Sequence, residues 1–104
     1  MGKFVQIIES RSSRPDEMRA LGEEFRQQRM ASGEGTPPVR LTLTTDRDRP
    51  DTYVTIAEFE SYEVAMENSQ RPETSEFAAR VAELCEGPPT YRNLDVADTW
   101  EPGR

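Results

Sequence analysis

The sequence contains no histidine and a single cysteine, Cys85. Without an imidazole there is no histidine to activate a serine or cysteine nucleophile, to act as a general base near neutral pH, or to ligate haem iron. A lone thiol also excludes a zinc site built from histidine and cysteine, and it excludes an intrachain disulfide. The chemistry of carboxylates, phenols and arginine remains, and we expect neither a cofactor nor a bound metal.

Large aliphatic and aromatic side chains are also scarce. Leu, Ile, Val and Phe together make up 18 of the 104 residues. A strongly charged chain with less than roughly 20% of these residues approaches the composition of disordered proteins. The chain is therefore either unfolded, or folded around a core that a second copy of itself completes. The hydrophobic periodicity described below favours the second interpretation.

Basic residues are fewer than acidic ones: the chain has 13 Lys+Arg and 20 Asp+Glu, which gives a net charge of −7. Lys3 is the only lysine. Nucleic-acid binding needs clustered cations that displace counterions from phosphates, so we expect no nucleic-acid partner. No stretch approaches the roughly 20 apolar residues of a membrane span. Residues 1–9 are too short and too interrupted for a signal peptide. We therefore expect a cytoplasmic protein without a membrane partner.

The length allows one domain, which we place at residues 1–98, with a polar tail at residues 99–104. Runs with period-two alternation predict strands, and apolar residues spaced three and four apart predict helices. The predicted strands are residues 3–9, 39–45, 52–59 and 90–97, and the predicted helices are residues 13–30, a segment starting after Ser61 and one starting at Pro72. The order β-α-β-β-α-β is that of the α+β, ferredoxin-like fold, a four-stranded antiparallel sheet with its helices on one face.

The hairpin between the two middle strands sets the predicted faces of the sheet. A symmetric loop pairs Thr45 with Thr52, and this register gathers the aliphatic residues on one side. The face predicted to lie under the helices consists of Val5, Ile7, Leu41, Leu43, Val54, Ile56, Leu94 and Val96. The opposite face consists of Phe4, Gln6, Ile8, Arg40, Thr42, Thr44, Tyr53, Thr55, Ala57, Phe59, Tyr91, Asn93 and Asp95.

This opposite face is too apolar for contact with water and too polar for a dry core. Two such sheets facing each other would enclose a partly polar cavity, so we expect a homodimer. In that cavity Arg40, opposite the small Ala57, would turn inward towards an anionic group of an aromatic or amphipathic ligand. The predicted substrate-binding residues are Gln6, Arg40, Tyr53, Thr55, Phe59, Tyr91, Asn93 and Asp95. A filled interface whose polar groups satisfy one another is the open alternative.

The segment from Glu58 to Ser61, followed by Ala65, Ser69, Pro72 and Phe77, resembles dimeric α/β-barrel proteins, and most closely their antibiotic biosynthesis monooxygenase-like branch. The resemblance implies a ferredoxin-like dimer that binds small organic molecules. Some members oxidise polyketide phenols without a cofactor, and others degrade haem.

The residues that carry activity in those relatives differ here. Phe59 stands where the oxygenases have a tryptophan, and Thr55 stands where they have an asparagine. Neither side chain can make the same hydrogen bonds. The haem-degrading relatives use a histidine on the following helix, and residues 69–77 contain none. The resemblance therefore implies the fold and a small-molecule site, but not haem degradation.

Three functions fit the sequence, and whether the protein is an enzyme stays open. The first is a homodimer that binds a small molecule. The second is a cofactor-free oxygenase acting on a phenolic or quinone-like substrate, with Tyr53 or Tyr91 bonded to the substrate oxygen and Asp95 as the base. The third is a module that binds only other proteins. A deep, aromatic-lined cavity would favour the first two over the third.

Overall fold

The computed structural model describes residues 3–103. In chain order the elements are β1 (Phe4–Arg11), α1 (Pro15–Ser32), β2 (Arg40–Thr45), β3 (Thr52–Phe59), α2 (Tyr62–Ser69), α3 (Pro72–Leu84) and β4 (Thr90–Asp95). The strands form one antiparallel sheet in the order β2-β3-β1-β4. The predicted ferredoxin-like α+β fold is confirmed.

Local sequence signals start two of the three helices where they were predicted. The Ser61 side chain accepts a hydrogen bond from the Val64 amide, at 3.2 Å, and caps α2. Pro72 is the first residue of α3, where a missing amide hydrogen costs nothing and the fixed φ suits the helix.

The Ser13–Asp16 pattern predicts a cap by the Ser13 hydroxyl, but α1 begins later than predicted, at Pro15, and no side chain caps it. The hydroxyl of Ser12 joins two other segments. Its Oγ accepts a hydrogen bond from the Arg14 amide, at 3.0 Å, and donates one to the Leu84 carbonyl, at 2.6 Å. Ser12 is fully buried, so these bonds tie the end of β1 to the end of α3 in a site shielded from water.

The hairpin between β2 and β3 is one residue out of the predicted register, because Thr45 pairs with Tyr53 and not with Thr52. The loop is asymmetric. The Asp46 amide donates to the Thr52 carbonyl at 2.9 Å, and Asp51 adopts a left-handed backbone with φ of 60°. A shift of one residue exchanges the two faces of a strand relative to its neighbour.

The shift moves the side chains of β2. In the observed register Leu41 pairs with Ala57 and Leu43 with Thr55. The predicted grouping of these leucines with the aliphatic residues of β3 is therefore wrong. They share a face with Ala57 and Thr55 instead.

The helices also cover the face opposite to the one predicted. Phe4, Ala57 and Phe59 are each at most 5% exposed, and they pack against Ala65 of α2. The Phe4 ring meets Tyr62 edge-on, with ring centroids 5.4 Å apart. Two phenylalanine rings bury a large apolar area when the helices pack on this face, so burial of these rings favours this arrangement. We call it the covered face.

Helices α1 and α3 pack on each other through Phe25 and Phe77, whose rings stack with centroids 4.3 Å apart. Leu21 of α1 is buried close to this contact. The other face of the sheet has no helix against it in residues 3–103, and we call it the open face. Its apolar residues are Val5, Ile7, Val54, Ile56 and Leu94, which share one side of the sheet as predicted but do not face the helices.

The core assignment predicts unequal effects of two truncations on the covered face. Replacing Phe4, which is 2% exposed, with Ala should lower the free energy of unfolding by about 3 to 5 kcal/mol. Replacing Leu43, which is 55% exposed, with Ala should lower it far less. Urea denaturation followed by circular dichroism measures both. Equal losses would show that the core does not lie at Phe4.

Candidate functional site

Seven of the eight predicted substrate-binding residues lie on the covered face. Directly paired residues of an antiparallel sheet share a face, and the alternation along each strand then places the rest. Phe4, which packs under α2, pairs with Phe59 on one side and with Asp95 on the other. The seven residues are Gln6, Tyr53, Thr55, Phe59, Tyr91, Asn93 and Asp95.

A polar pair lies at the centre of this face, in the row formed by Leu41, Ala57, Gln6 and Asn93 across the four strands. The Gln6 Nε2 atom donates to Asn93 Oδ1 at 3.1 Å. Neither Gln6 Oε1 nor Asn93 Nδ2 has a side-chain partner in the described part of the chain. The pair therefore offers an acceptor and a donor side by side, next to the small side chain of Ala57.

The next row consists of Leu43, Thr55, Ile8 and Tyr91. Its inner members are half-buried, whereas its outer members are 55% exposed at Leu43 and 49% exposed at Tyr91. The helix layer thus leaves both edges of the covered face accessible. A flat ligand could enter along either edge strand and contact an apolar or aromatic side chain first.

One end of the covered face gathers weak acids. Tyr53 pairs with Ser10, and Cys85, which follows α3, lies beside Ser10 and Tyr91. Burial raises the pKa of the Cys85 thiol, although a hydrogen bond to Ser10 partly opposes this. Burial, with a contribution from Cys85, also raises the pKa of the Tyr91 phenol. Both groups are neutral near pH 7, so the phenol serves as a hydrogen-bond donor and not as a base.

The helical spacing of Phe77, Val81 and Cys85 predicts a thiol on the buried, apolar face of the last helix. In the structure α3 ends at Leu84, and Cys85 is half-buried just beyond it. Its polar neighbours are Ser10 and Tyr91 of the covered face.

The other end of the covered face is different in character. Phe59 is 3% exposed and belongs to the core with Phe4 and Ala65. Asp95 is exposed at the end of β4. The surroundings of these two predicted site residues therefore differ from those of the central amide pair. Phe59 lies in the hydrophobic core, and Asp95 lies at the solvent-exposed surface.

Arg40 is the predicted site residue that the structure moves away from the others. It pairs with Glu58 instead of Ala57, so it lies on the open face. The one-residue register shift of β2 is the physical reason. The expectation that its guanidinium points to the side of Gln6 and Asn93 is wrong.

Three residues of the covered face were missed or misplaced in the sequence analysis. Ser10 could have been found by continuing the alternation of Phe4, Gln6 and Ile8 one step further. Leu41 and Leu43 gave no such signal, because their alternation fits either face until the hairpin register is known.

Between residues 3 and 103 no group of three or more histidine, cysteine, aspartate or glutamate side chains is placed to hold a metal ion. None of the helices in that range combines the length and the apolar composition that crossing a bilayer requires.

Comparisons with known proteins place this geometry in a structural context. Neither a family model nor a curated protein matches the sequence. Among solved structures, a Caulobacter crescentus CB15 protein provisionally described as an antibiotic biosynthesis monooxygenase aligns with a TM-score of 0.76 and 13% identity, over 93% of this chain and 92% of that one. SnoaB of Streptomyces nogalater, a cofactor-independent oxygenase, aligns with a TM-score of 0.74 and 15% identity, over 100% of both chains.

The chain shares the ferredoxin-like α+β fold of these two structures. A conserved protein of Methanosarcina mazei Go1 shares it with a TM-score of 0.75 and 7% identity, over 90% of this chain and 92% of that one. At these identities the likeness concerns the fold. The resemblance stated from the sequence is confirmed at that level.

The environment of Tyr91 predicts its titration. The difference between the near-ultraviolet pH titrations of the wild type and a Tyr91→Phe variant should give a pKa above that of free tyrosine. Because the folded protein holds this proton more tightly, the stability it contributes is present below the ordinary tyrosine pKa and is lost as the pH rises through the raised value. A difference titration at or below the free value would contradict the assignment.

Proposed function

We propose that the chain is a homodimeric protein that binds an aromatic or amphipathic small molecule on the covered face, between the sheet and the helices. The observation that carries this proposal is the Gln6–Asn93 amide pair at the centre of a face whose two edges are exposed. The proposed ligand-contacting residues are Gln6, Thr55, Tyr53, Tyr91 and Asn93, with Leu41, Leu43 and Ile8 as the apolar surroundings.

The chemistry of these side chains describes the ligand. Asn93 Nδ2 would donate to a carbonyl or phenol oxygen, and Gln6 Oε1 would accept from a hydroxyl. Tyr91 and the apolar edge residues suit a flat ring. Each neutral hydrogen bond contributes about 0.5 to 1.5 kcal/mol, so the amide pair sets orientation and the apolar contacts supply most of the affinity.

A cofactor-free oxygenase acting on a phenolic or quinone-like substrate is the second candidate. The likeness to SnoaB favours it. Tyr53 or Tyr91 would donate to the substrate oxygen, and the raised pKa of Tyr91 keeps that proton in place. The base would be Asp95, whose exposed position at the end of β4 favours the binding protein over the enzyme.

The open face supports the homodimer. Its apolar centre, formed by Val5, Ile7, Val54, Ile56 and Leu94, would otherwise remain in contact with water. Charges of both signs surround it, at Lys3, Glu9, Arg40, Glu58 and Arg92, and Lys3 and Glu58 already pair at 3.1 Å. Such a surface is complementary to itself under a twofold axis. The proposed dimer joins the open faces of two subunits. The sequence instead predicts a dimer joined through the face of Phe4 and Gln6, which the helices cover in the structure.

Binding at the amide pair is testable with 2-naphthol, a fluorescent phenol. Changing Asn93 to Leu keeps the approximate size of the side chain and removes both polar atoms, so the affinity for 2-naphthol should fall by about three- to tenfold. Fluorescence titration gives the dissociation constants. The control is Gln27→Leu on the exposed side of α1. Equal affinities of Asn93→Leu and the wild type would contradict the proposed site.

The same titration separates the two candidate functions when oxygen is followed with an electrode. A binding protein should leave the oxygen concentration of an aerated 2-naphthol solution unchanged. Sustained uptake that depends on the protein, and that Tyr91→Phe reduces, would favour the oxygenase.

The dimer is tested by a charge placed on the open face. Sedimentation of the wild type should give twice the single-chain mass of 11.9 kDa. Ile7→Glu should give monomers, because a buried unpaired carboxylate is strongly unfavourable. Leu43→Glu puts the same charge on a strand of the covered face and should leave the dimer intact. A compact wild-type monomer at micromolar concentration would overturn the proposal.

A further inference from the structure

Two arginines converge outside the covered face. Arg29 lies near the end of α1, and Arg71 lies between α2 and α3. A Cβ atom built on Gly35 would lie 3.0 Å from Arg29 Nη2 and 3.1 Å from Arg71 Nη1, so the two guanidinium groups are neighbours. Gly35 has a φ of 75°, which favours glycine, and the lack of a side chain lets the loop after α1 lie against both cations.

Arg29 is incompletely satisfied. It is 9% exposed, and its Nε atom donates to the Glu34 carbonyl at 3.3 Å. Its Nη2 atom is buried and has no hydrogen-bond partner in residues 3–103. A buried charged donor without a partner is costly and uncommon in proteins. Gly35 is the residue that lies over this atom.

Arg71 is satisfied by carboxylates from two directions. It donates to Glu73 Oε2 through Nε and Nη2, at 3.0 and 2.8 Å, and to Glu34 Oε1 at 3.1 Å. These bonds, led by those to Glu73, raise the pKa of Arg71. The pKa of Glu73 is lowered by a hydrogen bond from its own backbone amide, by the bonds from Arg71 and, to a smaller extent, by the charge of Arg29. Arg71 and Glu73 are therefore both charged near pH 7.

Glu34 is the replaceable member of the cluster. Its side chain is 72% exposed, and it sits between Gly33 and Gly35, which both have positive φ. Withdrawing its carboxylate leaves two guanidinium groups and the single carboxylate of Glu73, a net charge of +1. One external carboxylate would restore neutrality.

A cavity of about 190 Å³ adjoins the cluster. It is lined by Phe25, Gln28, Arg29, Ser32 and Glu73. Phe25 contributes an aromatic wall, and Gln28 and Ser32 contribute neutral hydrogen-bonding groups. The cavity therefore has room for an organic group attached to an anion held by the arginines.

We propose that Arg29 and Arg71 form a carboxylate-binding site, in which the carboxylate of a small organic acid replaces that of Glu34 on Arg71 and bonds to Nη2 of Arg29. The organic part lies in the cavity against Phe25. Glu34 is an internal stand-in for the ligand, and its departure moves the Gly35 loop away from the buried donor. This site is separate from the covered face and does not depend on what binds there.

Benzoate is a suitable probe, with binding followed by calorimetry at constant ionic strength. Arg71→Gln should weaken benzoate binding about tenfold or more, because a charge-assisted hydrogen bond and one of the two positive charges of the site are lost. Glu34→Gln should strengthen it several-fold, because the competing carboxylate is removed. These opposite changes at two ion-paired residues distinguish a ligand site from a structural salt bridge. Circular dichroism checks that each variant is folded.

Two control variants define the site. Arg80→Gln removes an exposed arginine of α3 whose nearest carboxylate oxygen, on Glu24, is 3.9 Å away, and it should leave benzoate affinity unchanged. Gln27→Leu, on the exposed side of α1, should also leave it unchanged. Absence of benzoate binding to the wild type and to Glu34→Gln, or equal losses in Arg71→Gln and Arg80→Gln, would overturn the proposal.

Discussion

The packing of α2 on Phe4 and Phe59 is the contact on which the rest of the molecule depends. These rings face each other across β1 and β3, and Ala65 lies against them. Side chains alternate strictly along a strand, so Gln6 points to the same side as Phe4, and Val5 points to the other side. The contact with α2 decides that the side of Phe4 and Gln6 faces the helices. The interior of the subunit and the surface available to a second subunit are both consequences of it.

Local signals predicted the elements, because helix starts are decided by neighbouring residues. Ser61 and Pro72 act through their own side chains, and the structure has helices where they indicate them. The hairpin register depends instead on the loop conformation. Asp51 adopts a left-handed backbone there, and the symmetric loop predicted from the sequence has no such residue. Five of the residues on the open face were correctly grouped, but which side the helices cover depends on contacts between distant segments.

The candidate site was predicted to the same extent as the strands that carry it. Gln6, Thr55 and Asn93 lie on strands whose alternation is clear, and they share one face as expected. Arg40 lies on the strand with the shifted register and was misplaced. The convergence of Arg29 and Arg71 had no signal in the sequence, because a glycine loop joins segments with no common periodicity.

The sheet order has a consequence for how the chain folds. β1 is a central strand near the start of the chain, whereas its neighbour β4 begins only at Thr90. The hydrogen bond from Ser12 to the Leu84 carbonyl likewise joins residues far apart in sequence. Closing so long a loop costs entropy before any contact across it is made. The β2–β3 hairpin can form early, while one edge of β1 stays unpaired until β4 arrives. During that interval β1 exposes backbone donors and acceptors, so the kinetic competition between folding and strand-mediated association is decided at the β1–β4 pairing step.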